Sequence, residues 1–342
     1  MKLDSVASLV QLIRDFNYQP AASLTSIVLV GGKGTRLADR RKQLSPEYFP
    51  TLEPRYWNIS GPKGLAIFQA KINNNLVAKP LTDWHLDIHC ACDRINGIAL
   101  SLGYQAELLK YYYETKYHSS YKKRTLNYLI EKNPAGTLAP LVELCKLNAL
   151  PSTPLIYANG DSLIDIELYE AYLEGLKLAL QANLDLQRLI IIIATLIPLE
   201  QASDYGIIEF NPDTGLVSAF REKNTSIIPH TVMLINHQKY VPINAGFSII
   251  NNPKQLLDDY LTPEIMEISS LLNEGLLDYQ QYEQIVKYET LYGKIAADGH
   301  IVTVLSPNHW CDLGTEARIS LAETSFINSL NRLNASDFGL AL

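Results

Sequence analysis

The chain has 342 residues, 47% of them hydrophobic, and 36 acidic against 29 basic side chains leave a formal net charge of −7. That length and apolar content suffice for one large α/β domain or two smaller ones, and the acidic balance argues against a polyanion-binding surface and so against nucleic acid as a partner. The apolar stretch 189–196 has the length of a buried strand rather than a membrane span, and Cys90, Cys92, Cys145 and Cys311 lack framework spacing, which points to a reducing cytoplasm without membrane insertion. The N-terminal stretch, with Asp4 early and Arg14-Asp15 following, lacks the layout of a signal peptide. Residues 3–16 carry apolar side chains at helical spacing (Leu3, Val6, Leu9, Val10, Ile13), predicting an amphipathic helix that lids the core or docks a partner.

Next comes an apolar strand, Ile27-Val28-Leu29-Val30, that empties into Gly31-Gly32-Lys33-Gly34-Thr35-Arg36-Leu37. Glycines at Gly31, Gly32 and Gly34 let successive backbone N–H groups converge on an anion, and Lys33 and Arg36 add full charges. A strand with such a loop is suited to phosphate. It is not a Walker loop, because Ile27 and Gly34 stand where that pattern needs Gly and Ser or Thr. The dinucleotide fingerprint fails because Leu37 holds its third glycine position.

Downstream, helix and strand signals alternate: a helix from Thr82, a strand at 97–102, a helix through Tyr113, a strand at 126–130, a helix at 137–147, a strand at 155–158, a helix at 166–182 and the strand at 189–196. This alternation predicts an α/β fold with a mostly parallel sheet, helices on both faces and ligands beyond the carboxyl ends of the strands. After Ile207 shorter strands take over, with a hairpin at 206–210 and 216–220 around Pro212-Asp213-Thr214-Gly215. His85, His89 and Cys92 share one face of the helix from Thr82; they read either as a zinc set or as core histidines, the latter being the better account.

Further landmarks fall at strand ends: Pro62-Lys63, the run from Glu131 to Gly136-Thr137, Asn159-Gly160-Asp161, Tyr205-Gly206, Glu222-Lys223, Asn244-Ala245-Gly246 and Trp310-Cys311-Asp312-Leu313-Gly314-Thr315. In this order they resemble the sugar-1-phosphate nucleotidyltransferase family, whose pattern is Gly-Gly-x-Gly-Thr-Arg-Leu, Pro-Lys, Glu-x-x-x-x-Gly-Thr, Gly-Asp, Tyr-Gly, Glu-Lys, Asn-Ala-Gly and Trp-x-Asp-x-Gly-Thr. The resemblance implies a Rossmann-like mixed sheet with a small β-rich sugar-binding elaboration. The implied reaction is attack by a sugar 1-phosphate on the α-phosphate of a nucleoside triphosphate, giving a nucleotide-sugar and pyrophosphate.

By the same resemblance Gly31, Gly32, Lys33, Gly34, Thr35 and Arg36, with Gly136 and Thr137, bind the nucleotide; Arg36, Lys63 and Asp161 are catalytic; Asp161 and Asp312 hold Mg²⁺. Gly206, Glu222, Lys223 and Asn244 bind the sugar phosphate. The expected layout is an N-terminal helical extension at 1–25, a nucleotide half at 26–165, a sugar-phosphate half at 166–330 and a tail at 331–342. A homodimer fits this reading.

Each of these side chains also has a bland reading: Asp161 as a helix cap, Asp312 as a turn residue, Lys63 as a solvated lysine, Glu222-Lys223 as an exposed pair. Their joint occurrence at strand ends favours the functional one. Three insertions depart from the family pattern, at 38–61, 69–78 and 224–240, the first suited to a lid over the triphosphate. Pro62-Lys63-Gly64 disfavours the thymidylyl members, and Leu29-Val30-Gly31-Gly32 with Lys79-Pro80 mildly favours guanylyl transfer to a mannose- or heptose-type sugar phosphate. No hexapeptide repeat follows Thr315, so a fused β-helix is not expected. The alternative from another class is a non-catalytic sensor of nucleotide-sugars.

Overall fold

Residues 5–72, 75–133, 135–221, 231–306 and 310–325 are described by the computed structural model. The chain forms two units, each assembled from separated stretches. One comprises Ser26–Pro134, Ala158–Asp165 and Asn308–Leu342; the other comprises Met1–Thr25, Ala135–Tyr157 and Ile166–Pro307. This partition differs from the halves 26–165 and 166–330. The expected tail at 331–342 lies outside the described residues.

The glycine-rich loop follows β1 (Leu24–Leu29), which neighbours β7 (Leu155–Asn159) in the sheet; in the first unit the sheet goes on from β1 through β4 (Ile95–Leu102), β6 (Arg124–Ile130) and the short β5 (Ser120–Tyr121). β4 and β6 run parallel from Gly97↔Thr125 to Leu102↔Ile130. The crossover between them is α4 (Ala106–Tyr117), the connection a parallel pair requires. Before β4 comes α3 (Leu81–Ala91), buried all along from Leu81 to His89. Its acidic residues tolerate that burial because lysines reach them: Lys116 pairs with Asp83 at 2.7 Å and Lys122 with Asp87 at 2.6 Å.

The insertion at 69–78 is a hairpin, β2 (Ile67–Ile72) with β3 (Asn75–Pro80). It delivers Pro80, whose fixed φ suits the entry to α3. The 38–61 insertion carries the short α2 (Asp39–Lys42) and one turn of 3₁₀ helix at Pro54–Tyr56, and buries Leu44, Phe49 and Leu52. Phe49 meets the Tyr112 edge with ring centroids 5.3 Å apart, and the Tyr111 hydroxyl donates to Glu53 at 2.9 Å. The segment expected as a lid is thus packed onto α4. The unit closes with β8 (Ser162–Ile164) paired antiparallel to β15 (Trp310–Asp312), followed by α11 (Glu316–Ser325).

The second unit starts with α1 (Ser5–Phe16), a helix where one was predicted, which lies against α6 (Leu168–Gln181); it buries Leu12, whereas Val10 and Ile13 of the predicted apolar face are exposed. Its sheet is organised around β13 (Gln238–Ile250), which pairs antiparallel with β9 (Ile190–Pro198) across a bulge between Asn244 and Phe247. β9 is parallel to β14 (Ile301–Leu305), and its run Ile190-Ile191-Ile192-Ile193 is fully buried, each side chain contributing about 2 kcal/mol of hydrophobic stabilisation. β10 (Ile207–Phe210) and β11 (Val217–Arg221) form the predicted hairpin, and β12 (Met233–Ile235) turns back onto β13. Thus 231–240 of the third insertion is a β-hairpin, while 224–230 lies outside the described residues. Helices α5 (Ala139–Lys146), α7 (Pro253–Tyr260), α8 (Pro263–Asn273), α9 (Tyr279–Tyr282) and α10 (Tyr288–Ala297) complete the unit. Among the described residues no helix is long and apolar enough to cross a membrane, and all four cysteines are free.

Candidate active site

At the end of β1 the Val30 amide donates to the Ser101 carbonyl at 3.0 Å, and the backbones of Gly31 and Gly103 then approach so closely that a Cβ on Gly31 would sit 2.9 Å from the Gly103 nitrogen. Gly34 has φ +65° and a Cβ there would stand 3.0 Å from the Lys63 Cβ, so this turn accepts glycine alone at little cost. The Leu37 amide donates to the Gly34 carbonyl at 3.1 Å, and buried Leu37 anchors the loop in the core with Phe68, Trp84 and Leu313. Lys33, Thr35 and Arg36 are exposed around it. Lys63 joins the loop through its amide, which donates to the Gly32 carbonyl at 3.3 Å.

Lys63 Nζ lies 2.6 Å from Asp161 Oδ2, with side chains 13% and 33% exposed respectively. Burial works against ionisation of Asp161, but the charge of Lys63 and its hydrogen bond outweigh it and hold the carboxyl below its ordinary value. Pairing of β8 with β15 carries Asp312 to the same place: Asp312 stands opposite Ser162, and the Leu313 amide donates to the Asp161 carbonyl at 2.6 Å. The point where a Cβ on Gly314 would sit is 2.8 Å from Asp312 Oδ1, 3.5 Å from Arg36 Nη2 and 3.7 Å from Asp161 Oδ2. Two carboxylates 151 positions apart (312 − 161) and the loop arginine therefore border one small space.

Among the described residues no group of three or more His, Cys, Asp or Glu side chains could hold a metal ion by itself. His85, His89 and Cys92 are instead buried, in line with the core reading preferred over zinc. His85 and His89 are fully buried with rings 6.2 Å apart, and His89 Nδ1 lies 2.9 Å from Ser26 Oγ. Burial pushes the His85 imidazole down to about 4, against the partly offsetting charge of Asp161, and that of His89 down to about 3. Both are neutral core histidines, yet His85 lies close enough to Asp161 and Lys63 to feel both charges, a placement no sequence signal announced. A pair of carboxylates does suit Mg²⁺, which commonly takes one or two protein carboxylates and completes its shell with phosphate oxygens and water.

One contributor was missed altogether. Arg318, in the first turn of α11, forms an ion pair through Nη1 with Asp312 Oδ2. Its position just beyond the Trp-x-Asp-x-Gly-Thr motif is the only sequence cue.

The other expected residues stand in the second unit. The Thr137 hydroxyl donates to Glu289 at 2.8 Å and accepts from the Tyr288 amide at 2.8 Å, and Gly136 has φ +86° with a Cβ position only 2.5 Å from the Val286 carbonyl oxygen. The Thr137 side chain is thus engaged in tying its loop to the start of α10. Gly206 and Asn244 are neighbours, the Asn244 amide donating to the Gly206 carbonyl at 3.3 Å, while Asn244 Oδ1 accepts from the Gly246 amide at 2.9 Å at the β13 bulge. Glu222 and Lys223 lie outside the described residues. Arg36, Lys63, Asp161 and Asp312 are brought together; Gly136 with Thr137, and Gly206 with Asn244, form separate groups in the other unit.

The nucleotidyl transferase family model matches residues 76–325. The chain is similar to the mannose-1-phosphate guanyltransferase of Yarrowia lipolytica, 23% identical over 313 residues that cover 91% of this chain and 66% of that protein, just under two thirds of its length. It is also similar to the D-glycero-α-D-manno-heptose 1-phosphate guanylyltransferase of Aneurinibacillus thermoaerophilus, 24% identical over 246 residues, 71% of this chain and 86% of that one. The crystal structure of a Bacillus anthracis protein described as a glucose-1-phosphate thymidylyltransferase, in complex with sucrose, shares the fold at a TM-score of 0.54 and 14% identity, covering 93% of this chain and 99% of that one. Its mixed, mostly parallel sheet flanked by helices is the architecture found here. With a family match over most of its length and the phosphate loop, Lys63, Asp161 and Asp312 assembled at one place, the chain belongs to the nucleotidyl transferase family.

Proposed function

We propose that this protein transfers a nucleotidyl group from a nucleoside triphosphate to a sugar 1-phosphate, releasing pyrophosphate. The observation that carries the reading is the convergence of Asp161, Asp312 and Arg36 on one space beside the glycine-rich loop, with Lys63 paired to Asp161. Both reactants are anions, so the reaction needs positioning and charge neutralisation more than covalent help.

The amides of Gly31 to Arg36 receive the triphosphate, with Arg36 on the departing pyrophosphate. Lys63 is nearest the α-phosphate, where it neutralises charge as the sugar-phosphate oxygen bonds to phosphorus and the bond to the bridging oxygen of pyrophosphate breaks. Asp161 and Asp312 are the residues that would hold Mg²⁺, which when bound supplies charge neutralisation and orients phosphate oxygens. The Gly136-Thr137 loop borders the nucleoside by its backbone, since the Thr137 hydroxyl is already engaged. Gly206, Asn244, Glu222 and Lys223 serve the sugar phosphate.

Guanylyl transfer to a mannose- or heptose-type sugar phosphate is the favoured pair, supported by the activities for which the two relatives are named and by Pro62-Lys63-Gly64. A cytoplasmic site of action fits the four free cysteines. The test is pyrophosphate release across a panel of triphosphates and sugar phosphates. One pair is expected to turn over, with a loss of about 100-fold or more in Asp161→Asn. No turnover with any pair overturns the reading, and tight nucleotide-sugar binding without pyrophosphate exchange would favour a sensor.

A further inference from the structure

Arg36 and Lys63 have roles in the proposed reaction; Arg318 has none, although it sits on a carboxylate of the same cluster. Its guanidinium and the Asp312 carboxylate are 24% and 15% exposed, and the second oxygen of Asp312 is held by the Gly314 amide at 2.6 Å. Arg41 in the same unit shows what a purely structural arginine looks like here. At 11% exposure it is clamped by two carboxylates, Glu316 at 2.7 Å and Glu323 at 2.8 Å, neither of which belongs to the cluster. Arg318 instead pairs with a carboxylate that borders the same space as Arg36 Nη2 and Asp161 Oδ2.

Three cations, Arg36, Lys63 and Arg318, face two carboxylates, so the cluster by itself is net positive. A triphosphate brings several negative charges to it. An arginine fork matches phosphate oxygens in a bidentate manner at least as well as it matches a carboxylate. A divalent cation on Asp312 would also compete with Arg318 for the same oxygens.

Resting on the nucleotidyltransferase reading, we propose that Arg318 is a further phosphate-binding residue: before the triphosphate arrives its guanidinium neutralises Asp312, and with the triphosphate bound it moves to the pyrophosphate part, opposite Arg36. The exchange keeps Asp312 neutralised until its own partner comes and adds a second arginine to the leaving group.

The experiment titrates guanosine triphosphate and inorganic pyrophosphate into the full chain by calorimetry in EDTA, so that no metal-dependent activity is involved. Arg318→Gln is expected to weaken both by about ten-fold or more, and Arg318→Lys, which keeps the charge but not the fork, by less. Because removing Arg318 also leaves Asp312 unneutralised, the titrations are repeated in an Asp312→Asn background. There the loss on adding Arg318→Gln is expected to persist. Unchanged affinity in Arg318→Gln, or a loss that vanishes in Asp312→Asn, shows that Arg318 acts on Asp312 alone and overturns the proposal. A wild-type protein that binds neither probe in EDTA overturns the proposal, whereas the nucleotidyltransferase reading stands or falls separately, on pyrophosphate release in the presence of Mg²⁺.

Discussion

Two opposing effects meet at Asp161: its partial burial favours the neutral acid, and Lys63 at 2.6 Å favours the carboxylate and wins. The folded-state value lies below the unfolded one, so the pair contributes stability that is present above about pH 4 and is lost as pH falls through the lowered folded value. Removing Lys63 takes away both the neutralising charge and the acid's stabiliser. Lys63→Met is therefore expected to lower kcat by about 100-fold or more and to move the acid limb of the pH–rate profile upward. An unmoved limb would show that Asp161 is not the group titrating there. The chemistry of this residue was legible in Gly160-Asp161 after a strand. Its pairing was not, because 98 positions separate Lys63 from Asp161 (161 − 63) and no local pattern encodes a contact at that distance.

At the scale of elements, α3 shows what periodicity misses. Its residues alternate in polarity without a clean apolar face, and the helix is nevertheless buried from Leu81 to His89 because Lys116 and Lys122 satisfy its acids and its histidines stay neutral. Histidines with values lowered to about 4 and about 3 bind fewer protons folded than unfolded, so stability is complete above the ordinary value near pH 6.5 and declines as pH falls below it. Each histidine is expected to add a slope of up to about 1.4 kcal/mol per pH unit between about pH 6 and 4. Urea midpoints measured across that range check it, and His89→Leu should flatten the slope; an identical slope in the variant would contradict the assignment. Up to β9 the main strands and helices follow the alternation read from the chain, whereas beyond Ile207, where short strands were expected, the chain also forms the long β13 and the helices α7, α8, α9 and α10. The 38–61 segment went the other way: Pro and aromatic content suggested a lid, whereas burial of Phe49 against Tyr112 makes it a layer on α4. Composition reports that such residues are apolar, not which surface they bury against.

For the whole molecule, a net charge of −7 coexists with a cationic cluster at the phosphate loop, so the overall balance excludes a polyanion surface without describing the site. A ligand that binds only the folded chain stabilises it by mass action, about 2.7 kcal/mol at a hundred-fold excess over Kd. Guanosine triphosphate is accordingly expected to raise Tm by a few degrees and by more than thymidine triphosphate at equal concentration. Equal shifts in a thermal melt would remove the preference for guanine. The amino-acid sequence by itself determined the phosphate loop, the order of the main strands and helices as far as β9 and the candidate residues, because glycine conformation, apolar period and motif spacing act over a few neighbouring positions. Only the tertiary structure decided that Asp161 and Asp312 face one space, that Arg318 joins them and that His85 lies within reach of the charges of Asp161 and Lys63. Those contacts arise where β8 pairs with β15 and α3 is buried, and packing of elements far apart in the chain leaves no periodic trace in it.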